Sequence, residues 1–385
     1  NEFQVYLFRA ANGDYLVPSW NVNGSHFNLL VLSNITGKVS IIDIFGNETE
    51  ISTSSGLCLI PAGHAPQTVR ISGQKEEPGY VSDFIEFPKR IYVRNDQEDV
   101  NLTVKFHNPL RTELSGVIRL KAPENGTVQP QQQELRLAPG QAATLDFQLK
   151  LTPDPSGSAL MRKIPCPIKL GEMIGEFHME LYSVRKIKPD FQSVPDFVLN
   201  KSEQVLPRFL NVPGNAQLIW QGPQDLSAEI HLALDEKFFR IKYVVKDDVF
   251  TQNFRDADLW KGDSVQLNLW LPGQADMWEI GASRNGDGTS GKWVWEAPSR
   301  QLKLAMIEKM QVETSWNPEN STMTYVIALP LDVLGVTPEM RGKPFPVGVQ
   351  VNDNDGSVRE SSMLTVPQFG GSMRITDHAP LIIFD

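Results

Sequence analysis

Cysteine is nearly absent from this chain: two residues in 385, Cys58 and Cys166. A disulfide framework is thereby excluded, and the pair read as small buried thiols, with one bridge open only if their surroundings dock closely. Histidine is sparse as well. The six (His26, His64, His107, His178, His231 and His378) form neither a His-x-x-x-His pair nor a Cys/His cluster, which argues against a zinc site. There is no Gly-x-Ser-x-Gly elbow, no phosphate-binding glycine loop and no Gly-x-Gly-x-x-Gly after a strand. A glycosidase needs two carboxylates about 5–9 Å apart in a cleft. Glutamates such as Glu176 and Glu180 instead fall on plain strand-like stretches, where a solvated face is expected. No apolar run approaches the roughly 18–20 residues of a spanning helix. Positive charge is in deficit, 36 Lys and Arg against 46 Asp and Glu for a net charge of −10, which speaks against nucleic acid and anionic membranes as partners. The chain begins at Asn1 without a charged-then-apolar leader, as expected of a mature or excised piece. The sum of these absences is a chain with no catalytic constellation of its own.

What is present is alternation. In Val100-Asn-Leu-Thr-Val-Lys-Phe106 every second residue is apolar, so one face packs and the other is expected to be wet. The same pattern recurs in Leu145–Leu151, Val265–Leu271 and Phe345–Val351. Gly, Pro, Asn and Asp separate these runs, and helical patterns are nearly missing apart from a short turn at Leu331-Asp-Val-Leu-Gly335. The fold class expected is all-β, three consecutive β-sandwich modules with short connections. Composition divides them at two polar, proline-containing runs, Ser72–Gly79 and Lys186–Pro195, into 1–76, 77–187 and 188–385. A long loop is expected around Pro153–Ser158.

The last module is the informative one. It holds seven of the eight tryptophans, Trp220, Trp260, Trp270, Trp278, Trp293, Trp295 and Trp316. Aromatic rings beside polar strand residues suit flat, weakly polar ligands, with sugars foremost. The stretches Phe239–Asp247, Trp260-Lys-Gly-Asp263-Ser-Val-Gln266 and Val347–Gly356 occur in an order that resembles the family 9 carbohydrate-binding modules and the wider DOMON-like sandwiches. That resemblance implies an aromatic clamp with Trp260 as one wall and Gln266 as a polar contact able both to donate and to accept. The family's second clamp tryptophan falls near the last strands. Here that region reads Leu364-Thr-Val-Pro-Gln-Phe369-Gly-Gly, so either Phe369 substitutes or the clamp is absent. Trp293 and Trp295 are the alternative platforms, and Trp278 and Arg284 on the neighbouring hairpin could complete a groove. Each pyranose face laid on an indole removes on the order of 50 Å² of apolar surface, about 1–2 kcal/mol.

Two further resemblances set the context. Trp20 and the Asp43-Ile-Phe-Gly46-Asn47 turn resemble the small β-domain that follows the barrel in several glycoside hydrolase families, which implies a catalytic domain preceding Asn1. Leu137-Ala-Pro-Gly140 leading into Phe147 resembles immunoglobulin-like spacers of bacterial surface enzymes. The chain therefore reads as a non-catalytic, secreted or extracytoplasmic carbohydrate-binding accessory region of a polysaccharide-degrading enzyme. The alternative is a purely structural scaffold whose tryptophans fill interfaces. No cofactor is expected, except that Asp247, Asp248, Asp353 and Asp355 are oxygen-rich turn residues suited to calcium, or simply to turns.

Overall fold

The computed structural model describes residues 3–21, 28–62, 65–81, 84–94, 99–123, 126–151, 161–206, 220–356, 361–365 and 380–384. The expected long loop at 153–158 lies outside them. The fold is all-β, built of mainly antiparallel sheets with hydrophobic residues between them, Val184–Lys186 and Leu381–Ile383 pairing in parallel. Two compact units are formed, one from 1–93, 97–153 and 162–182, the other from 94–96, 154–161 and 183–385.

In the first unit Asp99–His107 pairs with Ala142–Leu151 over nine residues, and Leu114–Arg119 with Gln132–Leu137. Asp99–His107 buries Val100, Leu102, Val104 and Phe106 while the residues between them reach solvent. The polar run at 72–79 is not a slack tether. Gln74 is buried, its Oε1 accepting from Thr36 N and Gly37 N and its Nε2 donating to Asn34 O and Glu76 O. At its last residue begins the strand Gly79–Val81, which pairs with Asn28–Ser33, and Leu29, Val31, Leu57 and Leu59 share a core with Phe84, Phe106, Phe147 and Phe177. Cys58 and Cys166 are buried free thiols, and burial pushes the Cys58 thiol up to about 12. Glu180, expected on a solvated face, is instead buried. It accepts a hydrogen bond from Tyr182 Oη at 2.8 Å, with Arg90 Nε 4.0 Å away.

The second unit is a sandwich. One sheet runs Phe197–Leu199, Leu226–Leu234, Phe238–Asp247, Thr322–Pro330, Gln311–Asn317. The other contains Leu381–Ile383, Phe345–Asp353, Ser264–Leu269, Trp278–Arg284 and Ser290–Glu296, with Ser361–Leu364 also paired to Phe345–Asp353. Rows such as Leu267–Ile280–Val349 face Ile241, Tyr243 and Ile327 in a single apolar core. Burying each large aliphatic side chain there contributes roughly 1.5–3 kcal/mol. The polar run at 186–195 is fastened to this sandwich. Arg185 pairs with Asp196 at 3.3 Å, Leu234 N donates to Lys188 O, and Arg240 Nη2 donates to Pro189 O.

The turn at Leu331–Leu334 is helical as expected and ends on Gly335 at φ 75, a left-handed position that glycine adopts without strain. A second helix, Arg300–Lys309, was not anticipated. Ser299 caps its N-terminus by accepting from Leu302 N, and Lys292 Nζ donates to Glu308 O and Met310 O at its other end.

Candidate functional site

The Ser264–Leu269 strand sits between Phe345–Asp353 and Trp278–Arg284, and alternation gives this sheet two faces. Val265, Leu267 and Leu269 align with Ala282, Ile280 and Trp278 on the inner, apolar face. Ser264, Gln266 and Asn268 align on the outer face in three cross-strand rows. These are Asn352–Ser264–Ser283–Gly291, Gln350–Gln266–Gly281–Trp293 and Gly348–Asn268–Glu279–Glu296. The expectation that such a polar face is wet fails here, because all six residues of Ser264–Leu269 are buried.

Much of that buried polarity is paired. Gln350 Nε2 donates to Asn352 Oδ1, Asn352 Nδ2 donates to Ser264 Oγ at 3.1 Å, and Ser362 Oγ donates to Asn352 Oδ1. Ser283 Oγ and Asn268 are not: at 0% exposure Ser283 Oγ has no partner, and Asn268 has none at either its Oδ1 or its Nδ2. An amide in that state costs on the order of 1–3 kcal/mol, so its retention calls for a reason. Beside it, burial and then the neighbouring Glu296 raise the Glu279 carboxyl from 4.5 to about 7.

Of the residues expected from sequence, Trp260, Trp293 and Trp295 are half-buried, while Gln266 is 5% exposed. The turn Asp256–Lys261 carries Trp260, over whose ring Lys261 Nζ sits at 5.6 Å. Trp295 ties this turn to the outer face. Its Nε1 donates to Ala257 O at 2.9 Å, and its ring lies where a Cβ on Gly281 would be, beside Gln266. A larger residue at 281 would displace the indole. Lys303 Nζ lies 5.9 Å from the centre of the Trp293 ring. The three indoles and Gln266 therefore gather on one side of one sheet.

Trp278 and Arg284 do not join them. Trp278 instead points between the two sheets into the apolar core, its Nε1 donating to Gln274 Oε1 at 3.1 Å, so it lies on the face opposite to Gln266. Arg284 shares its face and reaches across to Thr314 O of the opposite sheet. The pattern Trp278-x-Ile280-x-Ala282 carried this signal, since it places Trp278 on the apolar side. Phe369 lies outside the described residues. Trp270, 44% exposed, donates from Nε1 to Gln274 O beyond the strand end.

At the end of the sandwich where Phe238–Asp247 and Phe345–Asp353 finish and Ser264–Leu269 begins, carboxylates converge. Asp247, Asp263 and Asp353 are all buried, with ligand oxygens within 4.8 Å of one another. Asp225, Asp248 and Asp355 form a second such group. Burial, then mutual repulsion, pushes Asp263 and Asp353 far above the usual carboxylate range. Burial also raises Asp247 to about 8, with Asp355, Asp248 and Asp225 adding to the effect. Two like charges at this spacing repel by roughly 3–4 kcal/mol at an effective dielectric near 20, so these groups must hold protons or a cation. Asp263 receives backbone N–H groups from Thr251 and Asn354, but both oxygens of fully buried Asp353 lack a partner. An all-oxygen donor set of this kind suits calcium. Of the candidates from sequence, Asp247 and Asp353 fall in the inner group, Asp248 and Asp355 in the outer. Asp225 and Asp263 were not anticipated as donors, nor Gln350, Asn352 and Asn268 as site residues. Asp263 was visible in the Lys-Gly-Asp-Ser motif, but its distance in sequence from Asp247 and Asp353 concealed the cluster.

No protein-family model and no curated protein matches the sequence. Among solved structures the chain is similar to a family 9 carbohydrate binding module from Caldicellulosiruptor kristjanssonii in complex with cellotriose, at 14% identity over 51% of this chain and 88% of that one, with a TM-score of 0.33. It is also similar to a family 9 module from that organism in complex with glucose, at 17% identity over 52% and 94% of the two chains, with a TM-score of 0.34. Likenesses of this size decide neither fold nor ligand.

Proposed function

We propose that the second unit binds carbohydrate on the outer face of its Ser264–Leu269 sheet. Trp260, Trp293 and Trp295 form the apolar wall and Gln266 the amide floor, with Asn268 behind it reached once the side chains that cover it part. The observation that carries this reading is Asn268, a fully buried amide with two unpartnered atoms in a row of amides, hydroxyls and indoles. Amides both donate and accept, which matches the adjacent hydroxyls of a sugar. In this reading the chain is a non-catalytic accessory region, arranged as modules 1–76, 77–187 and 188–385, of a secreted polysaccharide-degrading enzyme with a catalytic domain upstream. The Asp247–Asp263–Asp353 cluster holds a divalent cation, calcium by its donor chemistry.

Trp295 favours a second reading, in which the aromatics are structural, because its indole N–H is already engaged by Ala257 O. Calorimetric titration with cellotriose and with glucose, on the full chain and on Trp260→Ala, separates the two. Carbohydrate binding requires heats in the wild type and an affinity about 5–30-fold weaker in the variant, the equivalent of about 1–2 kcal/mol. Equal affinities with the variant folded remove Trp260 from the site, and no heat with either protein leaves the scaffold.

A further inference from the structure

We infer that cation occupancy at Asp247, Asp263 and Asp353 fixes the loop that carries Trp260, and that the saccharide face and the cation site are therefore coupled. The inference rests on the carbohydrate and cation readings above and adds their linkage. Two observations point to the cation: the three buried carboxylates, and, within them, the two partnerless oxygens of Asp353.

The linkage is in the covalent and hydrogen-bonded path. Asp247 and Asp263 bracket the segment 248–262, so a cation held by both closes that loop at its two ends. Asp263 and Asp353 also flank the first paired residues of the two central strands, Ser264 and Asn352, whose outer faces continue to Gln266 and Gln350. Two buried amides then carry position from the carboxylates to the Trp260 turn. Asn354 N donates to Asp263 Oδ1 at 2.7 Å while its Nδ2 donates to Lys261 O, also at 2.7 Å. Gln252 Nε2 donates to Leu259 O at 3.0 Å and to Asp263 O at 2.9 Å, and its Oε1 accepts from Phe254 N. Gly262 lies against the Gln252 amide with no room for a side chain. Without the cation the carboxylates either repel one another or take up protons, and in both cases the tie between the two ends of 248–262 is lost. Asn354 and Gln252 are thus positioning residues that act through the turn, and Trp260 is the residue they aim.

Hydrogen–deuterium exchange on the full chain in calcium chloride and in chelator tests this without any sugar. Exchange within 249–262 is expected to slow by at least tenfold in calcium, and Asn354→Ala is expected to lose that difference while still binding calcium by calorimetry. A variant weakened only in its fold would exchange faster under both conditions and keep the difference. Calcium binding with unchanged exchange at 249–262 in the wild type overturns the inference whatever Asn354→Ala does, and so does the absence of calcium binding at millimolar concentration. Cellotriose titrations with and without calcium separate the readings. A fold-change in sugar affinity requires the same fold-change in calcium affinity with sugar present, because coupling is reciprocal. No sugar heat in either condition ends the carbohydrate reading while leaving the loop result standing.

Discussion

The strands Asp99–His107 and Ser264–Leu269 carry similar alternations of apolar and polar residues and meet different surroundings. In the first, the polar side chains stay at the surface and pair with one another: Thr103 Oγ1 donates to Asp146 Oδ1 at 2.7 Å, and Lys105 Nζ lies 3.2 Å from Glu86. In the second, Ser264, Gln266 and Asn268 are as buried as the valine and leucines between them. Burying a polar group is unfavourable unless it is hydrogen-bonded, so a covered polar face must build a network or keep its groups for something else. The Gln350–Asn352–Ser264–Ser362 network is the first solution and Asn268 is the second. The first face is held by water-exposed pairs, and the second carries a desolvation cost that, in the carbohydrate reading proposed above, a ligand offsets.

The largest effect that sharpens this comparison is expected on the apolar side of the same sheet. Trp278→Ala should lose about 3–5 kcal/mol in chemical denaturation, whereas Lys105→Ala on the wet face should stay within about 0.5 kcal/mol. A small loss at Trp278 would show that this indole is not packed in the core. Next in size is Asn268→Leu. Removing an unpartnered buried amide should stabilise the fold by about 1–3 kcal/mol while weakening cellotriose binding, the exchange of stability for function expected at a binding site. If Asn268→Leu instead destabilises the protein, Asn268 belongs to the structural network and the contrast between the two strands narrows.

The smallest expected effect is one of pH. Glu279 titrates near 7 in the folded protein against an ordinary glutamate value of 4.5, because burial and then Glu296 disfavour its charge. The folded state therefore binds more protons than the unfolded state between these values, so Glu279 subtracts stability as pH rises from about 4.5 to 7. Glu279→Gln should flatten that part of the stability–pH curve. An unchanged slope would mean that Glu279 is better solvated than its place beside Asn268 suggests.

Particular residues show how far the chain could be read. The strands at Asp99–His107, Ala142–Leu151, Ser264–Leu269 and Phe345–Asp353 follow from alternation, because a period of two puts one apolar face toward a partner sheet whatever that partner is. The helix at Arg300–Lys309 has a weaker signal than the strand patterns around it, carried by Ser299 and the spacing of Leu302, Ala305 and Met306. Residue type and motif single out Trp260, Gln266, Trp293 and Trp295, and the fold places them on one side of one sheet. Trp278 and Arg284 are close to them along the hairpin but face the other way, because residues two apart on a strand share a face and adjacent ones do not.

Local pattern thus decided which segments are strands and which residues of each are apolar, since both depend on interactions within a few residues. Three-dimensional pairing alone decided that one polar face would be covered rather than wet. It also brought carboxylate oxygens of Asp247, Asp263 and Asp353, separate along the chain, to within 4.8 Å of one another. Burial and charge repulsion depend on what lies across space, and no window of sequence contains that.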